Sequence, residues 1–321
     1  MTSTTLTPEL ELELTSSPHV RSNWSTQKVM WMVFAALIPA VISALVFFGI
    51  YQILIMLVSV GFAVGTEAAI KSIRKKKITL TDGSAALTGL LLALILPPNF
   101  SLVSTALGSV FAIAVGKEIF GGLGFNVFNP ALVGRAFLQA AFPVAMTTWE
   151  KPNFAVDTVT SATPLAAYKF EGAATEMSGM MIGNIGGSIG ETSALAILIG
   201  GLFLVAVKIV NWRIPAAMTL GIILFGGIFW LFDPAAYPNP LFLLLAGGFL
   251  FGAFFMATDW VTSPLTAKGM WIFGLGISFV IVLIRLFGGL PEGVMYAVLF
   301  MNAFVPMINR YTRPRVFGVA K

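Results

Sequence analysis

The chain has 321 residues, 57% of them hydrophobic and only 10% charged, where an average soluble domain carries about 45–50% and about 25%. That composition excludes a soluble globular protein and supplies enough apolar residues for roughly nine or ten membrane spans of about 20 residues each. With no cysteine and a single histidine, His19, the chain cannot ligate an iron–sulfur cluster through thiolates, form a disulfide or build a histidine-rich metal site, so any electrons it handles must ride on another kind of group.

Residues 1–27 are polar and lack the basic, then apolar, order of a signal peptide, which reads as a cytoplasmic tail. Within it Glu9 to Leu14 alternates with the period of a strand; it either adds to a partner's sheet edge or is a solvated tail. Ten apolar runs follow, at 29–49, 51–70, 83–97, 101–119, 129–147, 192–211, 214–232, 239–257, 270–287 and 293–309. The third is short, opening after Thr81-Asp82 and stopping at Pro97-Pro98. Such a segment is either a broken or re-entrant helix lining protein or a cavity, or a short tilted span.

An even span count puts both termini on one side, and Lys and Arg in short loops mark the cytoplasmic one. With the termini inside, 15 of the 19 basic residues fall on inner segments, leaving Lys151, Lys169 and Arg285 outside and Arg135 within a span. The run Arg74 to Lys77 is then a topology anchor near anionic lipid rather than a nucleic-acid patch.

Phe120-Gly121-Gly122-Leu123 and Phe287-Gly288-Gly289-Leu290 recur at an offset of 167, which also superposes Pro97 on Pro264 and Ala136-Phe137 on Ala303-Phe304. The expected architecture is therefore all-α and integral to the membrane, with about ten helices in two repeats, residues 28–147 and 192–309. Five spans per repeat is an odd number, so the second repeat enters with inverted polarity, as in many transporters. A tail over 310–321 completes the chain.

Residues 148–191 form the one long connection, about 44 residues. Loops of this length are usually functional or disordered, and the charge pattern puts this one outside. It carries Asp157-Thr158-Val159-Thr160-Ser161-Ala162-Thr163, followed by Pro164-Leu165-Ala166. This stretch resembles the flavinylation motif D-x-x-T-(G/S)-A-T of the family that comprises the D subunit of the Rnf electron-transport complex and the B subunit of the sodium-translocating NADH:quinone reductase. Many members have Gly where Ser161 stands. The resemblance continues through Ser17-Pro18-His19, Asp82-Gly83-Ser84, Gly124 to Ala131, Gly187 to Ser193, Met256 to Asp259 and Pro291-Glu292-Gly293. The short N-terminal tail is closer to the Rnf protein.

The resemblance implies a urea-transporter-like fold and FMN joined by a phosphoester to Thr163, with Thr160, Ser161 and Ala162 around it, installed by a flavin transferase. It also implies a noncovalent riboflavin, and partner subunits that carry another flavin and iron–sulfur clusters in the cytoplasmic (inner) membrane of a bacterium or archaeon. The Rnf complex passes electrons between ferredoxin and NAD and couples this to sodium or proton export. A quinone-reductase subunit or a nonredox solute channel of the same fold are the alternatives.

From the residues themselves, Ser188, Thr192 and Ser193 before the sixth span could donate to a phosphate or to flavin carbonyls, or simply cap the helix. Asn126 and Asn129, with Phe125 and Phe128 beside them, suit the edge and face of a second isoalloxazine, or cap the helix that starts at Pro130. Ionisable residues within the apolar layer are functional candidates by default. Glu118, Asp259 and Glu292 are the ion-path candidates among them, alongside Glu67, Arg135, Glu191 and Arg285.

Overall fold

A computed structural model describes residues 24–77, 80–150, 152, 162–172 and 175–314. The alternating stretch 9–14, the motif residues Ser17 to His19, and Asp157, Thr160 and Ser161 lie outside the described residues. Among those described the fold is helical throughout, with no β-strand. Four segments are long and apolar enough to cross a membrane: Thr26–Phe48, Tyr51–Ile73, Arg213–Phe232 and Ala267–Phe287. The first is two helices, α1 (Thr26–Ala36) and α2 (Ile38–Phe48), joined through Leu37, where Pro39 in the first turn of α2 accounts for the break. The second is α3 (Tyr51–Ile73). Large apolar side chains such as Ile42, Leu57, Leu224 and Leu231 point outward from these segments, an arrangement suited to lipid rather than water.

Shorter apolar helices fill the space between them. α4 (Ser84–Leu94) starts at Gly83, whose φ of +75° favours glycine, and stops before Pro97-Pro98. Its 11 residues span only about 16 Å at 1.5 Å per residue, about half a hydrocarbon core. α5 (Leu102–Ile113) runs on into a wider π turn, Ala114–Glu118. α6 (Pro130–Ala141) is followed, after Phe142, by the short α7 (Pro143–Thr147). The long connection is not bare loop, because it contains α8 (Pro164–Ala166), a π turn Ala167–Glu171 and α9 (Met177–Ile182). Then come α10 (Ala194–Ala206), α11 (Arg213–Phe232), and α12 (Pro240–Leu245) with α13 (Phe249–Phe251) and its π turn Gly252–Met256. The run closes with α14 (Ala267–Phe287) and α15 (Val294–Thr312). The predicted eighth span, 239–257, is therefore interrupted at Ala246 to Gly248, where Gly247 has φ +66°.

Small residues let the long helices approach closely. α3 packs on α4 and α5, with Ser59 Oγ 2.9 Å from Ser109 Oγ and 2.6 Å from the Gly89 carbonyl. α11 packs along α14, where Ser278 Oγ donates to the Met218 carbonyl at 2.6 Å and a Cβ at Gly274 would lie 2.6 Å from that of Ala217. α6 rests on α5, α15 on α14, and α6 and α15 touch.

Candidate functional site

A helix that ends inside an apolar layer leaves carbonyls that need donors. The two broken helices meet that need in the same manner. Beyond α4, the Leu94 and Leu96 carbonyls accept from Gly190 and Ile189 N–H at 2.7 and 3.0 Å, and the Ile95 carbonyl accepts from Arg135 of α6. Gly190 is required there, since a Cβ would lie 2.7 Å from that of Leu94. At the end of α12, the Leu243 and Ala246 carbonyls accept from Arg285 of α14. Both arginines are buried, and each places a cation at a helix C-terminus, where the helix dipole favours one.

Arg135 also gathers the acidic residues. Its Nη2 donates to Glu292 at 2.9 Å, Glu191 lies 3.5 Å from Nη1, and Ser188 Oγ is 3.5 Å from the same nitrogen. Arg135, Glu191 and Glu292 line a cavity of about 400 Å³ with Gln139, Trp149 and Phe170, within the roughly 300–1,000 Å³ of small-molecule sites. Ala162 and Ala166, one before and three after Thr163, are part of the same wall. Thr163 is buried and is the N-cap of α8, its Oγ1 accepting from Ala166 N–H at 3.2 Å. The cavity therefore adjoins Ala162 and Ala166 on either side of Thr163, whose own side chain is not in its wall, and it offers a guanidinium, two carboxylates, an amide and aromatic rings. A second cavity, about 550 Å³, is lined by Ala162, Pro164 and Ala167 together with Glu171 and Glu176; its described wall has two carboxylates and no cation, whereas the first sets Arg135 beside Glu191 and Glu292.

Of the three predicted donors, Ser188 does not line the first cavity but touches two residues that do, Arg135 and Glu191. Ser193 is the N-cap of α10, accepting from Ala196 N–H at 3.3 Å, and Thr192 is buried with its Oγ1 unpartnered among the described residues. Neither of the last two lines the cavity. Asn126 and Asn129 do share a cavity, with Lys117 and Asp259, but it holds only about 80 Å³. Asn129 is committed to structure: its Oδ1 caps α6 through Ala131 and Leu132 N–H, and its Nδ2 donates to the Met256 carbonyl at 3.2 Å. A riboflavin here would require these walls to part.

The acidic candidates sit in separate places. Glu292 is in the cavity beside Thr163, and Asp259 lines the small cavity and accepts from Thr262 Oγ1 at 3.0 Å. Glu118 is paired with Arg74 at 3.9 Å rather than with its neighbour Lys117. Lys117 instead donates to Glu67 and to Ser84 Oγ, each at 2.6 Å, and Lys71 holds the other oxygen of Glu67. Of this buried cluster the sequence marked only Glu67, as an ionisable residue in an apolar layer; its four-residue spacing from Lys71 was the further signal available.

Lys169 is the functional-site residue that the sequence did not mark. Its Nζ reaches from the π turn after α8 to the carbonyls of Ile284, Arg285, Gly288 and Leu290 at the end of α14. This fastens the Thr163 segment to the second half of the bundle, and burial pulls the ammonium's pKa below its ordinary value. Lys169→Met is expected to free the segment, seen as faster limited proteolysis between residues 148 and 191 with the remaining fragments unchanged.

These features describe an all-helical, multi-pass membrane protein whose broken helices end on buried arginines around a ligand-sized cavity. The chain belongs to the NQR2, RnfD, RnfE family, which matches residues 13–318. It is 46% identical to the D subunit of the proton-translocating ferredoxin:NAD(+) oxidoreductase complex of Clostridium ljungdahlii, over 96% of each chain. It is 44% identical to the D subunit of the Na(+)-translocating ferredoxin:NAD(+) oxidoreductase complex of Acetobacterium woodii, over 98% of this chain and 97% of that one. It is 40% identical to the D subunit of the ion-translocating oxidoreductase complex of Stutzerimonas stutzeri, over 92% of each.

Proposed function

We propose that this chain is the membrane flavoprotein subunit of an Rnf-type ion-translocating ferredoxin:NAD oxidoreductase, inactive by itself and bearing FMN on Thr163. The observation that carries the reading is the adjacency of Thr163 to the Arg135 cavity. The residues present fit the group: an isoalloxazine tethered at Thr163 has a volume to enter, aromatic side chains for its face, and Gln139 and Arg135 for its polar edge. When bound, the flavin supplies electron transfer; the chain's part is to hold it, keep water away and set the local field. Lacking cysteine, the chain hands electrons to partner subunits that carry a further flavin and iron–sulfur clusters, and a flavin transferase makes the phosphoester.

The wider reading is of two inverted five-segment repeats, residues 28–147 and 192–309, with both termini cytoplasmic and the flavin segment on the outer face of a cytoplasmic membrane. The matching places of α4 and α12, each the broken third segment of its half, support it, although the arginines that end them come from different segments of the two halves. Glu118, Asp259 and Glu292 are proposed to line the ion path. Relatives at 46% and 44% identity carry names with different ions, so overall similarity does not choose between sodium and proton.

Intact mass under denaturing conditions is the test. Protein expressed with an active flavin transferase is expected to be heavier than the bare chain by one esterified FMN. A bare-chain mass overturns the flavin reading and favours a nonredox channel.

A further inference from the structure

We propose that the end of the bundle where α10 gives way to α11 binds an anionic phospholipid, with its phosphate between Lys208 and Arg213 and one acyl chain between the two helices. Two adjoining cavities carry the inference. The first, about 530 Å³, is lined by Lys208, Asn211, Arg213 and Ser263 together with Trp212 and Trp260. Both of its charged residues are cations, and no acidic side chain lines it among the described residues. The second, about 350 Å³, is lined almost wholly by apolar groups, with Leu202 and Val205 from α10 and Pro215, Ala216, Thr219 and Leu220 from α11. Val205 and Trp212 belong to both, so the polar chamber leads directly into the apolar groove. From Trp212 to Leu220 the groove follows α11 for about 12 Å at 1.5 Å per residue, a length suited to an acyl chain and not to a free ion.

The surroundings place the chamber at the level of lipid headgroups. Trp212 and Trp271 meet edge to face with ring centroids 6.2 Å apart, the Arg213 guanidinium lies 5.5 Å from the Trp212 ring, and Trp260 is tied through Nε1 to the Ile209 carbonyl at 2.8 Å. Tryptophan collects at the membrane interface because its ring is apolar and its N–H polar. Lys208 adopts a φ of +62° just past the end of α10, where glycine is the easier residue. Arg213 begins α11, so a phosphate at this point also meets the positive end of a 20-residue helix. Basic pockets between membrane helices hold anionic headgroups by this chemistry.

The full chain, purified in mild detergent, stripped of lipid and mixed with phosphatidylglycerol or with phosphatidylcholine of the same acyl chains, is read by native mass spectrometry. One phosphatidylglycerol is expected to bind in preference to phosphatidylcholine. The double variant Lys208→Gln, Arg213→Gln is expected to bind it about 30-fold more weakly, two surface cations being lost. Lys208→Gln alone, at an exposed position, is expected to give a smaller loss, and Thr219→Trp, which fills the groove and keeps both charges, to release the lipid as well. Equal binding of the two lipids, or unchanged phosphatidylglycerol binding in the charge and groove variants, overturns the proposal. So does full displacement by inorganic phosphate, which would make this a free-anion site, and so does a cross-link from Lys208 in the assembled complex that puts another subunit's polypeptide across the groove.

Discussion

Thr163→Ala is expected to remove covalent flavin completely. The variant should migrate on a denaturing gel without fluorescence and have the mass of the bare chain. A phosphoester needs a side-chain hydroxyl, and the motif assigns it to Thr163 rather than to Ser161 or Thr160, two and three residues before it. The substitution also costs about 1 kcal/mol through loss of the α8 cap, so a folding defect has to be separated from a chemical one. Thr163→Asn does this, because asparagine caps a helix at least as well as threonine yet offers no hydroxyl. Thr163→Asn should fold and assemble like the parent and still lack fluorescence, whereas Thr163→Ser restores the hydroxyl and should recover the flavin. Fluorescence that survives in both the Ala and Asn variants would put the attachment elsewhere in the chain.

The punctuation of the fold was legible in the sequence. Gly83 and Pro97-Pro98 bound α4 as expected and Asn129-Pro130 opens α6, whereas the short helix that Thr163-Pro164 opens lies in a stretch that reads as a loop. These are local signals, written in the residues that form them. The break at Gly247 was not legible, because an apolar run from 239 to 257 looks continuous until Arg285, 39 residues after Ala246, supplies donors for the released carbonyls. The same holds for the site. Hydropathy marked Arg135, Glu191 and Glu292 as costly residues in an apolar layer, but their meeting depends on α6, the turn before α10 and the approach to α15 arriving at one point. Lys169 escaped notice for a related reason: in sequence it is an ordinary loop lysine, and its role appears only once the end of α14 is brought beneath it. Asn129 went the other way, because its amide is used up by the helix cap and the Met256 carbonyl, which leaves little of it for a ligand.

Arg135→Leu is expected to be the most damaging single substitution in the bundle. Arginine here serves three partners at once, the Ile95 carbonyl, Glu191 and Glu292, and leucine would leave a helix end without its donor and two carboxylates without their nearest cation. Removing one member of a buried ion pair costs about 3–5 kcal/mol, mostly from the charge left behind, and that size of loss should appear as a large drop in the midpoint of unfolding by sodium dodecyl sulfate. Arg135→Lys keeps the charge but not the planar fork that reaches carbonyl and carboxylate together, so it should recover only part of the loss. Glu292→Gln added to Arg135→Leu should be less unstable than the sum of the two single changes, since the second change removes one of the charges that the first orphaned. Strict additivity would mean that Arg135 and Glu292 are not coupled, leaving the Ile95 carbonyl and Glu191 as the partners through which Arg135 stabilises the fold.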